Sequence, residues 1–211
     1  MKKLALVETL AEGCTLAVAN VIPLILTVIL YILTCWVPYL NVGTTIGLMR
    51  LIIDMTKGKV IDPLSIFQKE NFSGLGDFFL LIGLMSIGLA VAACFMFVPA
   101  IIMGIAWNYA LYLMIEKKIS PFKAISLSEK VTNGEKWNIF FIYLVATIAV
   151  ILVIAVFASI PKVGGIFALL LSILACALFV AIEAVMYRHF SEKADLLLEG
   201  ECVQAHVQAA E

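Results

Sequence analysis

Charge is scarce in this chain. Asp, Glu, Lys and Arg together make up 14% of its 211 residues, where a soluble domain needs roughly a quarter to keep its surface in water. Histidine is scarcer still, with only His189 and His206. HExxH, a phosphate-binding glycine loop and GxSxG are all missing. The five cysteines, Cys14, Cys35, Cys94, Cys176 and Cys202, form no CxxC pair and have no metal-ligand spacing. The net charge of −1 points to no particular partner, and no nucleic-acid partner is expected. These gaps count against a soluble fold, a resident metal or cofactor, a nucleic-acid partner, and an enzyme, whose reacting groups need to cluster.

Apolar length is what the chain has in abundance. Hydrophobic residues make up 64% and the mean hydropathy is +1.10; about 20 such residues cross a hydrocarbon core of about 30 Å. Stretches between charges predict six transmembrane helices, at about 14–36, 39–56, 75–97, 100–115, 138–159 and 164–187. The second contains Arg50 and Asp54. The reading is an all-α integral membrane protein with a single membrane domain, 1–190, and a polar tail, 191–211. The start "MKKLALVETLAEGC" imitates a lipoprotein signal, but Glu8 and Glu12 interrupt its apolar core, so an uncleaved first helix is expected. Cys35 and Cys94 fall near the same ends of their spans, within reach of a disulfide if that side is oxidising.

Positive charge is distributed unevenly. With a cytoplasmic N-terminus, six spans put thirteen of the fourteen Lys and Arg residues inside and only Lys162 outside. That bias predicts cytoplasmic N- and C-termini in an inner-membrane protein.

Two markers recur along the chain. Gly13, Gly74 and Gly134 are 61 and 60 residues apart, and Pro38, Pro99 and Pro161 are 61 and 62 apart. Asp62-Pro63 and Ser120-Pro121 each pair a capping residue with proline at a first helical position. A fixed period in independent markers implies an internal repeat. The expectation is three parallel two-helix units of about 61 residues (about 1–60, 61–119 and 120–190), each led by a short amphipathic interfacial helix ending at its glycine. Residues 4–12 and 122–133 separate apolar from polar faces at 100° per residue. Such helices lie at the headgroup level, where Lys117, Lys118, Lys123, Lys130 and Lys136 would meet anionic lipid; the alternative is packing on their own chain.

The segment "VPAIIMGIAWNYALYLMIEKKISPFKAISLSEKVTNGEKWNIFFIYL", 98–144, resembles the bacterial multi-pass proteins grouped with the membrane domain of glycerophosphoryl diester phosphodiesterases. The likeness lies in Pro99 with Tyr109 and Tyr112, the "SPFKAISLS" helix, and "GEKWNIFF" leading into the next span. Ala100 stands where that group often has glycine. The resemblance covers about a quarter of the chain and implies a helical membrane domain without the catalytic barrel of its namesakes.

Polar groups within spans are the candidates, either lining a polar vestibule or neutralising one another and bonding neighbouring helices, because their burial is costly unless they are partnered. They are Asn20, Arg50, Asp54, Asn108 and Glu183. Arg50 and Asp54, four apart, can pair on one helix face, and Glu183 can compete for Arg50. Two functions fit. One is a non-enzymatic scaffold or accessory subunit acting through lipid, membrane-protein or self contacts. The other is a small-solute, ion or lipid transporter or channel with a polar vestibule open to the cytoplasm.

Overall fold

The structure, a computed structural model, describes residues 4–160 and 163–209. Lys2, Lys3, Pro161 and Lys162 lie outside the described residues, as do the side chains of Cys202 and His206. Among the described residues every regular element is helical: α1 (Leu6–Ala19), α2 (Val21–Thr34), α3 (Pro38–Thr56), two 3-10 turns (Pro63–Phe67 and Lys69–Phe72), α4 (Leu75–Phe95), α5 (Phe97–Trp107), α6 (Ala110–Lys117), α7 (Pro121–Thr132), α8 (Lys136–Ala158) and α9 (Gly164–Ala209).

Four helical stretches are long and apolar enough to cross a membrane: Leu75–Phe95, Val98–Lys117, Lys136–Ala158 and Gly164–Glu201. A fifth is available only if the bent pair α1 and α2 counts as one. Six such helices are not found among the described residues, and the difference from the expectation lies at its first two members. The expected span 14–36 is broken at Asn20, where α1 and α2 meet at 86°. Pro23 supplies the reason: it has no N–H for a continuing helix but fits the first turn of a new one. The expected span 39–56 is α3, which with Asn41, three threonines, Arg50 and Asp54 is too polar to qualify among the described residues.

The repeat is also altered. Gly74 and Gly134 hold left-handed φ of 78° and 83°, beside the starts of α4 and α8. Gly13 lies in the middle of α1, where a Cβ would come 2.7 Å from Ile182 Cγ1 and 3.2 Å from Ile182 Cα. It is a helix-packing glycine, and the first unit's interfacial helix does not end there. In the second unit the amphipathic helix is replaced by the two 3-10 turns, pinned by buried Asn71, whose Nδ2 donates to the Ser65 and Ile66 carbonyls at 2.9 and 3.0 Å.

The core is organised by α9. α1 runs antiparallel beside it: Leu4 and Thr9 lie with His189 and Glu192, while Ala17 and Val21 lie beside Ala177 and Leu178. Of the expected polar tail, 191–211, the described residues continue α9 without a break, Ser191 meeting Glu116 and Asp195 meeting Lys117 of α6, and the helix also packs on α7. At that charged end, α7 buries Ala124, Leu127, Ser128, Val131 and Thr132 against its own chain. Ser128 Oγ donates to the Ala106 carbonyl at 2.7 Å. The amphipathic face of 122–133 thus rests on α5, α6 and α9, with Phe122 left exposed.

Both ends of α3 lie at this charged end. Lys57, just past its last turn, reaches Glu116 Oε1 at 2.7 Å. Tyr39, in its first turn, stacks on Phe72 with ring centroids 5.6 Å apart, three residues before α4 begins. The first turns of α4 pack Phe78 and Leu81 with Met114 of α6 and Ala124 of α7. The start of α1 is held here too: Leu4 N–H donates to Glu135 Oε2, and Asn138 Nδ2 donates to the Leu4 carbonyl, both at 2.9 Å.

Candidate functional site

The five candidate residues do not form one cluster. Asn20 turns its side chain back to the Leu16 carbonyl at 3.1 Å, capping the end of α1. Arg50 pairs with Glu70 at 3.7 Å, and Asp54 with Lys59 at 2.6 Å. The expected Arg50–Asp54 pair is not made, nor does Glu183 meet Arg50, because the chain after α3 folds back and brings its own charges to both residues.

Asn108 and Glu183 are brought together, with Tyr143 as a third member. Asn108 stands at the junction of α5 and α6, Tyr143 two turns into α8, and Glu183 on α9. Asn108 Nδ2 donates to Glu183 Oε1 at 3.1 Å and lies 3.2 Å from Tyr143 Oη, while Tyr143 Oη donates to Glu183 Oε2. All three residues are half-buried. Beneath them is an aromatic layer in which Tyr109 sits 4.7 Å from Phe190, and Tyr112 5.1 Å from Tyr187, between ring centroids.

Two further carboxyls, absent from the sequence candidates, organise the charged end. Glu116 accepts from Tyr187 Oη and from Ser191 Oγ at 2.8 Å, and pairs with Lys57 and, at 3.6 Å, with Lys117. Glu135 accepts from Leu4 N–H and lies 3.0 Å from His189 Nε2 and 3.3 Å from Lys193 Nζ. Burial alone would raise the Glu135 carboxyl, but the Leu4 N–H, His189 and Lys193 together hold it below its ordinary 4.5. Along α9, Glu183, Tyr187 and Ser191 are four apart, so one face carries the intramembrane carboxyl and both partners of Glu116.

The lysines expected at lipid headgroups are mostly engaged by the protein. Lys117 pairs with Asp195 at 2.6 Å, and Lys123 and Lys130 meet Glu201 at 3.3 and 2.9 Å. Lys118 ends α6 in a left-handed conformation, and Lys136 opens α8. Cys35 and Cys94 are both free thiols. No group of His, Cys, Asp and Glu among the described residues could hold a metal ion.

The larger of two concavities flanking α1 is apolar. A groove of about 420 Å³ lies between the α1–α2 elbow, α8 and α9, lined by residues such as Cys14, Val18, Val145, Ala149, Leu174 and Leu178. A smaller one of about 300 Å³, on the other flank of α1, is closed at one end by the Arg188–Glu12 ion pair.

The fold defines an all-helical protein with several helices able to cross a membrane. No protein-family model, curated protein or solved structure matches the chain.

Proposed function

We propose that this is a non-enzymatic, multi-pass inner-membrane protein that works as a scaffold or accessory subunit through contacts in the bilayer, and that its groove holds a phospholipid acyl chain. The groove carries this reading: it is apolar throughout and bounded by helices of membrane-crossing length. One turn of helix, about 10 Å across with a pitch of about 5.4 Å, fills roughly the same volume as the groove. A second transmembrane segment would therefore seat only one turn, whereas an unbranched chain can follow the cleft along α8 and α9. The likeness of 98–144 to helical membrane domains without a catalytic barrel agrees with a contact role.

In the topology that accompanies this reading, α4, α5 with α6, α8 and α9 make four crossings. The α1–α2 elbow enters from the charged end and returns to it, since α1 begins, α3 begins and ends, and α4 begins there. The eleven cationic residues among those described stay on that side, which is then cytoplasmic.

The test is purification in mild detergent with mass spectrometry of retained lipid and protein, beside flux assays in proteoliposomes. Retained phospholipid that falls several-fold in Ala149→Trp is expected. Transport is the second reading, favoured by the Asn108–Tyr143–Glu183 contact. A saturable flux abolished by Asn108→Leu or Glu183→Gln, with no retained lipid or partner, would replace the first reading with the second.

A further inference from the structure

Glu183 differs from Glu116 and Glu135 in its partners. Glu116 has Lys57 and Lys117, and Glu135 has Lys193 and His189. Among the described residues Glu183 meets only neutral donors, Asn108 and Tyr143. It is also deeper: Tyr143 lies seven residues into α8 from Lys136, about 10 Å along the helix axis. An intramembrane anion with no cation beside it is strongly disfavoured.

Among the described residues no packed element brings a cation into contact with Glu183; Lys118 and Lys136 stand at the charged ends of α6 and α8. The titratable groups facing Glu183 are Tyr143 from α8 and Tyr109 and Tyr112 from the α5–α6 side. On α9 itself, Tyr187 is committed to Glu116 and Arg188 to Glu12 of α1. From α3 and its end, Arg50 is held by Glu70, Asp54 by Lys59 and Lys57 by Glu116. Lys123 and Lys130 of α7 are held by Glu201.

We propose that Glu183, with Asn108 and Tyr143, is a binding site for one exchangeable proton within the membrane. The triangle is complete around a carboxylate: one Asn108 N–H goes to Oε1, the other to Tyr143 Oη, and the phenol donates to Oε2. A proton arriving on Oε2 makes the carboxyl the donor to Tyr143 and reverses that bond, so the phenol hydrogen must turn elsewhere. Uptake thus neutralises the site and resets one contact between α8 and α9, without breaking the Asn108 bond. The proposal rests on this geometry and is independent of what occupies the groove.

The experiment is labelling of the full-length protein in lipid nanodiscs with dicyclohexylcarbodiimide, an apolar reagent that adds to protonated carboxyls, followed by peptide mass mapping. Across about pH 5 to 9, the range over which buried carboxyls titrate, the expected result is one adduct on Glu183. Its yield falls as pH rises and is unaffected by sodium, Glu116 and Glu135 stay unmodified, and the adduct is lost in Glu183→Gln. Tyr143→Phe removes a donor to the charged form, so the labelling midpoint should move up by about one pH unit or more; this arm decides even if Glu183→Gln does not fold. The proposal is overturned by the absence of a Glu183 adduct at the acid end, by a yield that ignores pH, by protection with sodium, or by a Tyr143→Phe midpoint that stays or moves down.

Discussion

Glu135 gathers the start of α1, the start of α8 and the far part of α9 around a single carboxyl, and its protonation should be visible in the stability of the protein. Its folded value lies below its ordinary 4.5. Its contribution is therefore complete above that value and is lost as pH falls through the lower folded value. Thermal unfolding in detergent should show melting temperature dropping as the medium is acidified below about pH 4.5. Glu135→Gln should remove most of that dependence and lower the melting temperature at neutral pH by about 5 °C or more. Glycines offer a second contrast at this scale. A Cβ on Gly47 would lie 2.6 Å from Ile66 Cα and 2.7 Å from its carbonyl oxygen, whereas one on Gly83 meets nothing within 4 Å. Gly47→Ala should cost about 1 to 3 kcal/mol, and Gly83→Ala should be neutral or stabilising by up to about 1 kcal/mol; denaturation in mixed micelles checks both. A scan for polar residues inside apolar runs finds Asn108 and Glu183, because both interrupt long hydrophobic stretches. It passes over Tyr143, whose ring belongs to the apolar count while its hydroxyl completes the site. It also passes over Glu116 and Glu135, since charges at span ends are cheap and one sequence does not say which of them turns inward.

Hydropathy windows measure length and composition, so α4, α8 and the start of α9 were legible to within a few residues. They are blind to direction. Nothing in the apolar count of 14–36 signals an 86° elbow, although Pro23 was there to be weighed. The two charged residues of 39–56 were the visible sign that α3 is less apolar than the four membrane-length helices. The helix 120–133 was legible from Ser120, Pro121 and its period, but periodicity shows only that one face is apolar. Lipid and protein are equally good covers for such a face, and here Ser128 and Thr132 bond to α5 from within it. Substitution separates the two covers. Val131→Glu, at a fully buried position, should lose about 3 to 5 kcal/mol or fail to accumulate. Phe122→Glu, on the exposed side, should change detergent stability by no more than about 0.5 kcal/mol; comparing folded yields and melting curves of the two variants decides.

For the whole molecule, the decisive question is how many times the chain crosses. Single cysteines at Leu40, Lys59 and Lys130 should react with an impermeant maleimide from one side of a sealed vesicle, and cysteines at Met96 and Ser159 from the other. Labelling of Leu40 with the second group would restore α3 as a crossing and remove the re-entrant elbow. The same count bears on how the protein is made. The first helix docks on partners that are synthesised last: Leu4 bonds Glu135 at a separation of 131 residues, and Glu12 meets Arg188 at 176. At about 5 to 20 residues per second, α1 waits roughly ten to thirty seconds on the ribosome-bound chain before its seat exists. During that interval Thr9, Gly13 and Ala17, buried in the finished fold, have only lipid or an insertion chaperone to cover them. A nascent chain arrested after α8 should accordingly leave a Thr9→Cys thiol open to modification that the completed chain protects.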